Sequence, residues 1–496
     1  MSGSKNNSVS SSSTKGKPTA KKLGVIALMG IVVSAMMGGG IYSLPQNMAE
    51  NASAGSIIVA WLVTGLGVWF IANTFRILST AKPELKNGLY TYADAGFGKF
   101  IGFFVAYGYW ICNCFALVAY SILTMETINY FFPYFSGGNN IPAIIAGSVI
   151  TWLMFLLTLN GAKQTGTLSV IGTISNLVPI MIFIIALVTI FKFSVFMTDL
   201  WGTRGGVDLN FSFENVMPQV RNTMLVTLWL FIGIEGAVVV SGRAKSQNVV
   251  RKSTTLGYII TLLLYFLVSL LPLGVYPQSQ VAGMANPSAA QIMNEQFGSW
   301  GGDIINFGVL VSVLSSWLVW MLMLGEMPFA AAQNKAFPKV FLKENKKNAP
   351  NFALLVTTII IQVILILSYF AGNAWDTMIS ITSVMSLPCY LACTLYLFKV
   401  VMKNDYPEKI FAKKNNALIT GALGSIYGLW LVYAAGLNYM MIACIIYAIG
   451  IPIYAVSVKE NNKTEPIFTS KEKIIAVIVI LLGIAGIIYS VTVGIH

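Results

Sequence analysis

Charge is what this sequence has least of. Only 10% of its 496 residues are charged, 56% are hydrophobic, and the mean hydropathy is +0.74. A water-soluble domain of this size has no core able to hide so much apolar surface. Histidine is nearly missing as well, with one copy at position 496. Together with the lack of paired intramembrane acids or a Ser–His arrangement, that absence disfavours an intramembrane enzyme. No GxxxxGK[ST] phosphate loop occurs, which argues against an ATP-driven pump carried on this chain. The few cysteines, Cys112, Cys114, Cys389, Cys393 and Cys444, fall in apolar runs without His, Asp or Glu nearby. They read as small buried thiols, and neither a metal nor a cofactor is expected. The small-residue pattern of a signal-peptidase site is missing after the first apolar stretch, so that stretch is read as retained.

What the sequence does have is long apolar runs. Roughly 20 such residues cross a ~30 Å hydrocarbon layer as a helix. Stretches of suitable length stand at 23–46, 55–80, 100–125, 141–160, 167–191, 217–241, 254–275, 303–325, 352–371, 376–398, 417–436, 439–457 and 474–494. Each is continuous instead of alternating, which predicts helices and not barrel strands. The fold class is therefore an all-α polytopic membrane protein with 12–13 transmembrane helices.

The net charge of +13 has two readings, and the placement of the charges decides between them. Of 31 Lys and Arg, all but Lys192, Arg204 and Arg221 fall in the first tail or in alternate loops on its side. By the positive-inside rule that side is cytoplasmic. The excess charge is a topology signal and not a nucleic-acid footprint. With thirteen spans His496 lies outside; a twelve-span chain in which 474–494 does not cross is the alternative. Residues 1–22, "MSGSKNNSVSSSSTKGKPTAKK", are polar and cationic and read as a flexible cytoplasmic tail. Three connections are long enough to hold structure. The cytoplasmic 81–100 has room for a surface helix, and 192–216 and 276–302 are expected to form short helices over the outer mouth. No soluble domain is seen.

Inside the first apolar stretch stands "SAMMGGGIYSLPQN". One mid-helix glycine costs about 1 kcal/mol relative to alanine, so Gly38, Gly39 and Gly40 in succession, followed by Pro45, predict an interruption. Unwound backbone at membrane depth is tolerated only against protein or a wet cavity. The alternative is close approach of another helix to small residues. The sixth stretch, "LWLFIGIEGAVVVSGRA", repeats the feature, with Gly233 and Gly236 around Glu235. A charge at that depth costs at least ~2.5–3.5 kcal/mol on insertion scales, which points to a functional cavity or a protonated acid, the alternative being a hydrogen-bonded packing acid. Breaks in the first and sixth spans open two sets of five spans of opposite orientation, an inverted-topology repeat. Released N–H groups at such breaks hold a carboxylate and released carbonyls a cation. An α-amino acid carries both groups. The units are then 1–22 (tail), 23–192 (first repeat), 193–400 (second repeat with outer loops) and 401–496 (additional spans).

In order and spacing, "SAMMGGGIYSLPQNMA", "PELKNGLYTYADAGFGKFIGFFVAYGYWI", "LWLFIGIEGAVVVSGRA" and "MLGEMPFAAAQNKAFPKVFLKENKKNAP" resemble the amino acid–polyamine–organocation transporters, and within them the basic amino acid/polyamine antiporters. The resemblance covers about residues 21–457. It implies a five-plus-five inverted repeat with discontinuous first and sixth helices, alternating access, and exchange of a cationic amino acid for its metabolic product. Arginine for ornithine or agmatine, histidine for histamine, and lysine for cadaverine are such pairs. Carried over by position, Gly38, Gly39 and Gly40 would bind the substrate carboxylate, with Ala35 and Met36 near the amine. Ile232, Gly233 and Ile234 would offer carbonyls. Trp229 matches a covering gate and Trp320 a second aromatic against the substrate side chain, although bundle packing explains most of the eleven Trp. A cation over an indole gains ~0.5–2 kcal/mol. Glu235 matches a proton-sensing or gate-coupling carboxylate, and Thr382, ahead of a kink at Pro388, a hydrogen-bonding partner. Cys112 and Asn113 stand where relatives line the side-chain pocket. Leu117 replaces a frequent polar residue there, and the break reads Gly-Gly-Gly where some relatives have Gly-Ser-Gly.

The expected partners are amino acid and amine substrates and the lipid bilayer of the cell membrane, with no nucleic acid and a homodimer left open. Proton-coupled uptake is the competing transporter reading. A receptor would not account for a broken helix at the start of each half.

Overall fold

The computed structural model describes residues 24–85, 89–160, 165–204, 207–235, 245–461 and 466–493. The tail 1–22, Lys163, Gly236 and Arg243, which figure in the sequence reading, lie outside them.

The chain opens with α1 (Val25–Met37) and, past an interruption, α2 (Leu44–Asn51). There follow α3 (Ala54–Ala81), the short α4 (Leu89–Phe97), α5 (Lys99–Phe131), α6 (Ile141–Thr158) and α7 (Thr165–Ile190). After α8 (Phe193–Met197) comes a small antiparallel ribbon of β1 (Thr203–Arg204) and β2 (Val207–Asp208). The second half then runs through α9 (Phe213–Leu230), α10 (Gln247–Leu270), α11 (Gln278–Ala282), α12 (Ser288–Phe297), α13 (Ser299–Gln333), α14 (Asn351–Leu367) and α15 (Ala374–Met402). The last three helices are α16 (Lys414–Ala434), α17 (Gly436–Asn461) and α18 (Ser470–Val493).

Among the described residues ten helices are long and apolar enough to cross a membrane. The broken α1/α2 pair, α7 and α9 occupy the remaining three stretches read from the sequence. Four helices start where a side chain takes up a free amide: Asn140, Ser212, Ser246 and Asn373 each accept from the backbone N–H three residues on. Pro388 sits inside α15, which runs on unbroken through it.

Burial sorts the helices into layers. The most apolar windows of α5 and α15 are both 72% buried, and that of α18 only 17%, so α5 and α15 form the centre and α18 the rim. In a bilayer each buried polar tip needs a protein partner. Accordingly, the Trp61 indole donates to Ser269 Oγ at 2.8 Å and the Trp110 indole to Thr357 Oγ1 at 3.0 Å. At the rim, Gly483 and Gly486 let α18 lie close on Ala448 and Met441 of α17.

The long connections behave mostly as their composition suggests. The 81–100 connection holds α4, and 276–302 holds α11 and α12, which lie over α2: Ser288 Oγ accepts from the Gln46 amide, and Gln278 donates to the Ala49 carbonyl at 2.8 Å. The 192–216 connection differs from expectation. Among its described residues α8 and the first turn of α9, from Phe213, are helical. The rest carries β-branched Thr203 and Val207 beside a glycine pair in the sequence, a pattern that suits a ribbon better than a helix.

Candidate functional site

Each of the three consecutive glycines proves to be required by a different neighbour. Gly38 ends α1 with φ +43°, a left-handed value that strains any residue with a side chain, and a Cβ there would strike the Tyr120 hydroxyl. A Cβ on Gly39 would strike Val313 and come within 2.8 Å of Leu123 Cδ2; on Gly40 it would enter the Trp229 ring. The chain turns through a single 3-10 turn, Gly40–Tyr42, before α2 begins with Pro45 in its first turn. Through this passage the amides of Gly39, Gly40 and Ile41 have no hydrogen-bond partner among the described residues, whereas those of Tyr42 and Ser43 bond to the Gly39 and Gly40 carbonyls. Three amide donors are thus released side by side.

The second break follows Leu230, where α9 gives way to a turn over Phe231–Glu235. Gly233 has φ +105°, and a Cβ there would lie 2.8 Å from the Ala35 carbonyl oxygen. The two breaks therefore touch backbone to backbone. One hydroxyl fastens them together: Tyr265 of α10 lies 2.8 Å from the Met36 carbonyl and 2.9 Å from the Leu230 carbonyl, sharing its proton between one released acceptor from each break. Its ring stacks on Trp61 and meets Phe231 edge-on.

Between the breaks lies a cavity of about 30 Å³, room for one or two water-sized groups and not for a whole amino acid. Met36, Gly38 and Gly40 form its backbone wall, Asn113 and Tyr120 its α5 wall, and the indoles of Trp229 and Trp320 close it. No charged side chain lines it among the described residues. Trp229 is held by Trp375, edge-to-face at 5.3 Å, and the Trp375 indole donates to Asn47 Oδ1 at 3.1 Å. Asn47 donates in turn to Asp376 at 2.9 Å and Gln46 at 3.0 Å, and Gln46 donates to Glu50 at 2.8 Å. This polar chain roofs the cavity at the end away from the lysine-rich loops.

On the other side of the cavity sits Glu235, 2% exposed. Tyr109 of α5 and Tyr390 of α15, the latter at 3.3 Å, both donate to its carboxylate. The acid thereby joins the second break to the two most central helices. A carboxylate accepting two phenols is a strong link, since charge-assisted hydrogen bonds are roughly twice as strong as neutral ones.

Of the residues singled out in the sequence, Ala35, Met36, Gly38, Gly40, Asn113, Trp229, Ile232 and Trp320 line the cavity together. Gly39 lies in the same break, turned toward Leu123 and Val313. Gly233 and Ile234 belong to the second break without lining the cavity, and Glu235 lies below it. Cys112 is fully buried with its thiol 3.1 Å from the Tyr109 carbonyl, and Thr382 is fully buried with its hydroxyl donating to the Met378 carbonyl at 2.7 Å. Neither reaches the cavity. The sequence reading passed over Tyr109, Tyr120, Tyr265 and Tyr390. Tyr109 could have been found, since it stands one helical turn before Asn113 on the same face. Tyr265 and Tyr390 carry no local signal, because their role arises from contacts across the fold.

The family profile described as amino acid permease matches residues 23–484. A putative amino-acid transporter of Clostridium perfringens is 57% identical over 472 residues, covering 95% of this chain and 98% of that protein. An arginine/agmatine antiporter of Chlamydia pneumoniae is 47% identical over 470 residues, 95% of this chain and 97% of its own. One of Chlamydia felis is 47% identical over 475 residues, with coverage of 96% and 98%.

Proposed function

The chain belongs to the amino acid permease family, and on that premise we propose that it is an antiporter exchanging a cationic amino acid for an amine or amino acid made from it. Arginine against agmatine is the leading pair, from the names of the Chlamydia relatives; arginine against ornithine and histidine against histamine follow. The protein works in the cell membrane by alternating access, with its amino terminus in the cytoplasm, where the basic loops face.

The observation that carries this reading is the meeting of the two helix breaks beneath a pair of indoles. The three free amides of Gly39, Gly40 and Ile41 receive an α-carboxylate, and the carbonyls beside the second break receive the ammonium. Trp229 and Trp320 offer faces to the cationic end, each worth ~0.5–2 kcal/mol. An amine lacking the carboxylate still uses the aromatic half of the site, so both partners of an exchange compete for one cavity.

Alternating access follows from the two barriers. On the outer side, substrate enters when Trp229 swings from Gly40, which loosens its edge contact with Trp375. On the inner side, passage requires Tyr109 and Tyr390 to part from Glu235. The small cavity fits a closed stage between these openings, and loading must expand it.

The test is counterflow in proteoliposomes: labelled arginine, histidine and lysine outside against preloaded agmatine, ornithine, histamine and cadaverine. Antiport predicts uptake only with a substrate preloaded. Proton-coupled uptake is the second reading, favoured by the single buried acid at the second break. Uptake into empty vesicles driven by a pH gradient would establish it and refute exchange.

A further inference from the structure

At the lysine-rich end of the bundle, well away from the cavity, one pocket is lined by cations and, among the described residues, by no acid. Arg76, near the end of α3, lies with its guanidinium carbon 5.5 Å from the Trp69 ring and 5.7 Å from the Phe411 ring. Arg251, near the start of α10, covers the same Phe411 ring at 4.7 Å. Two guanidiniums thus share one phenyl, although like charges repel. Among the described residues no ion pair reaches either arginine. The Arg76 Nε is buried and has no hydrogen-bond partner. Arg76, Arg251 and Phe411, with Ser79, Asn248 and Lys409, line a pocket of about 260 Å³. Asn248 accepts from the Arg251 guanidinium at 2.6 Å and so aims it, and the positive end of α10 opens into the same space.

The surroundings decide what kind of anion fits. Leu62, Leu66, Trp69 and Arg76 stand on one face of α3 at helical spacing, with Leu62 and Leu66 exposed. On α10, Leu256, Ile259 and Leu263 form a matching exposed stripe. The two stripes flank the seam where Tyr258 of α10 bonds the Gly65 carbonyl of α3 and packs against Trp69. The basic pocket is therefore the end of an apolar, outward-facing groove that runs along the hydrocarbon depth of the bundle.

We propose that the Arg76–Arg251–Lys409 pocket binds the phosphodiester headgroup of an anionic glycerophospholipid whose acyl chains lie along the α3–α10 seam. Basic pockets at the cytoplasmic ends of membrane helices suit such headgroups, and the groove favours a lipid over a free phosphate. The site also touches the transport machinery. Ser253 of α10 donates to the Val25 carbonyl at 3.0 Å, and Gly257 lets Val32 approach, so α10 is fastened to α1, the helix that leads into the first break. A headgroup gripping Arg251 braces that pair.

The test uses the purified full-length protein and native mass spectrometry in mixed micelles of phosphatidylglycerol and phosphatidylcholine. Retention of phosphatidylglycerol over phosphatidylcholine is expected, falling about fivefold for each cation removed in Arg76→Gln, Arg251→Gln and Lys409→Gln. Equal retention of the two lipids by the unaltered protein would overturn the proposal without relying on any variant. So would unchanged phosphatidylglycerol retention in all three variants. A separate arm adds inorganic phosphate: displacement of the lipid at millimolar-range levels, with no headgroup preference, would assign the pocket to a free anion and refute the lipid assignment.

Discussion

If one hydroxyl holds both helix breaks together, removing it should loosen the site without disturbing its packing. Tyr265→Phe is that perturbation. The ring keeps its stack on Trp61, at 6.0 Å between centroids, and its edge contact with Phe231 at 5.5 Å, so no void is created. What is lost is the proton shared by the Met36 and Leu230 carbonyls. Leaving a buried acceptor unsatisfied costs about 1–3 kcal/mol, and here two acceptors depended on one donor. If the closed arrangement bears that cost and a more open one does not, the balance between them shifts by about 5- to 150-fold. Two assays read it. Inactivation at elevated temperature in detergent should be several-fold faster than for the unaltered protein, and the apparent affinity for exchanged substrate should weaken within the same range. Tyr433→Phe is the control, because that side chain is exposed and its loss should change neither measurement. A Tyr265→Phe protein with unaltered lifetime and unaltered affinity would refute the idea that this hydroxyl clamps the breaks.

Three further outcomes follow from the site. Both tyrosines donate to Glu235, so its ionised form holds the inner barrier best and protonation weakens it; exchange should rise as pH falls, and Glu235→Gln should flatten that dependence, a profile identical to wild type removing Glu235 from gating. Trp229→Ala removes one cation-binding face and the cover over Gly40, and an equilibrium binding titration should show affinity weakened by about 2- to 30-fold. Gly39→Leu places a branched side chain where even a Cβ meets Val313 and Leu123, and should abolish binding while the protein still inserts in the membrane; a fully active variant would discredit the first break as the carboxylate site.

Much of the architecture could be read from the sequence because bilayer physics leaves strong traces. Thirteen apolar runs and a one-sided distribution of Lys and Arg need no tertiary information to interpret. The first break was also visible, since three glycines in succession with a proline five residues on favour a local departure from the helix over simple close packing of small residues. The contacts that give the break its shape were not. Tyr120, Trp229 and Val313 come from three separate helices to occupy the space the glycines vacate. Thr382 shows the converse. A polar residue on a central helix suggests a ligand contact, yet here its proton goes to the carbonyl four residues earlier, a local bond that Thr forms readily in apolar helices. The ribbon at 203–208 was missed because two-residue strands leave too short a pattern to register.

The uncharged cavity lining has an electrical corollary. Among the described residues no charged side chain lines it, so on the proposed exchange the charge moved per turnover is that of the substrates, at about 2.3 kcal/mol per elementary charge per 100 mV. Swapping a monovalent amino acid inward for a divalent amine outward would then displace net positive current toward the outside on every turnover and polarise the membrane negative within. Swapping partners of equal valence would leave the potential untouched, so a voltage-sensitive dye in the same vesicles reports the valence difference of the pair.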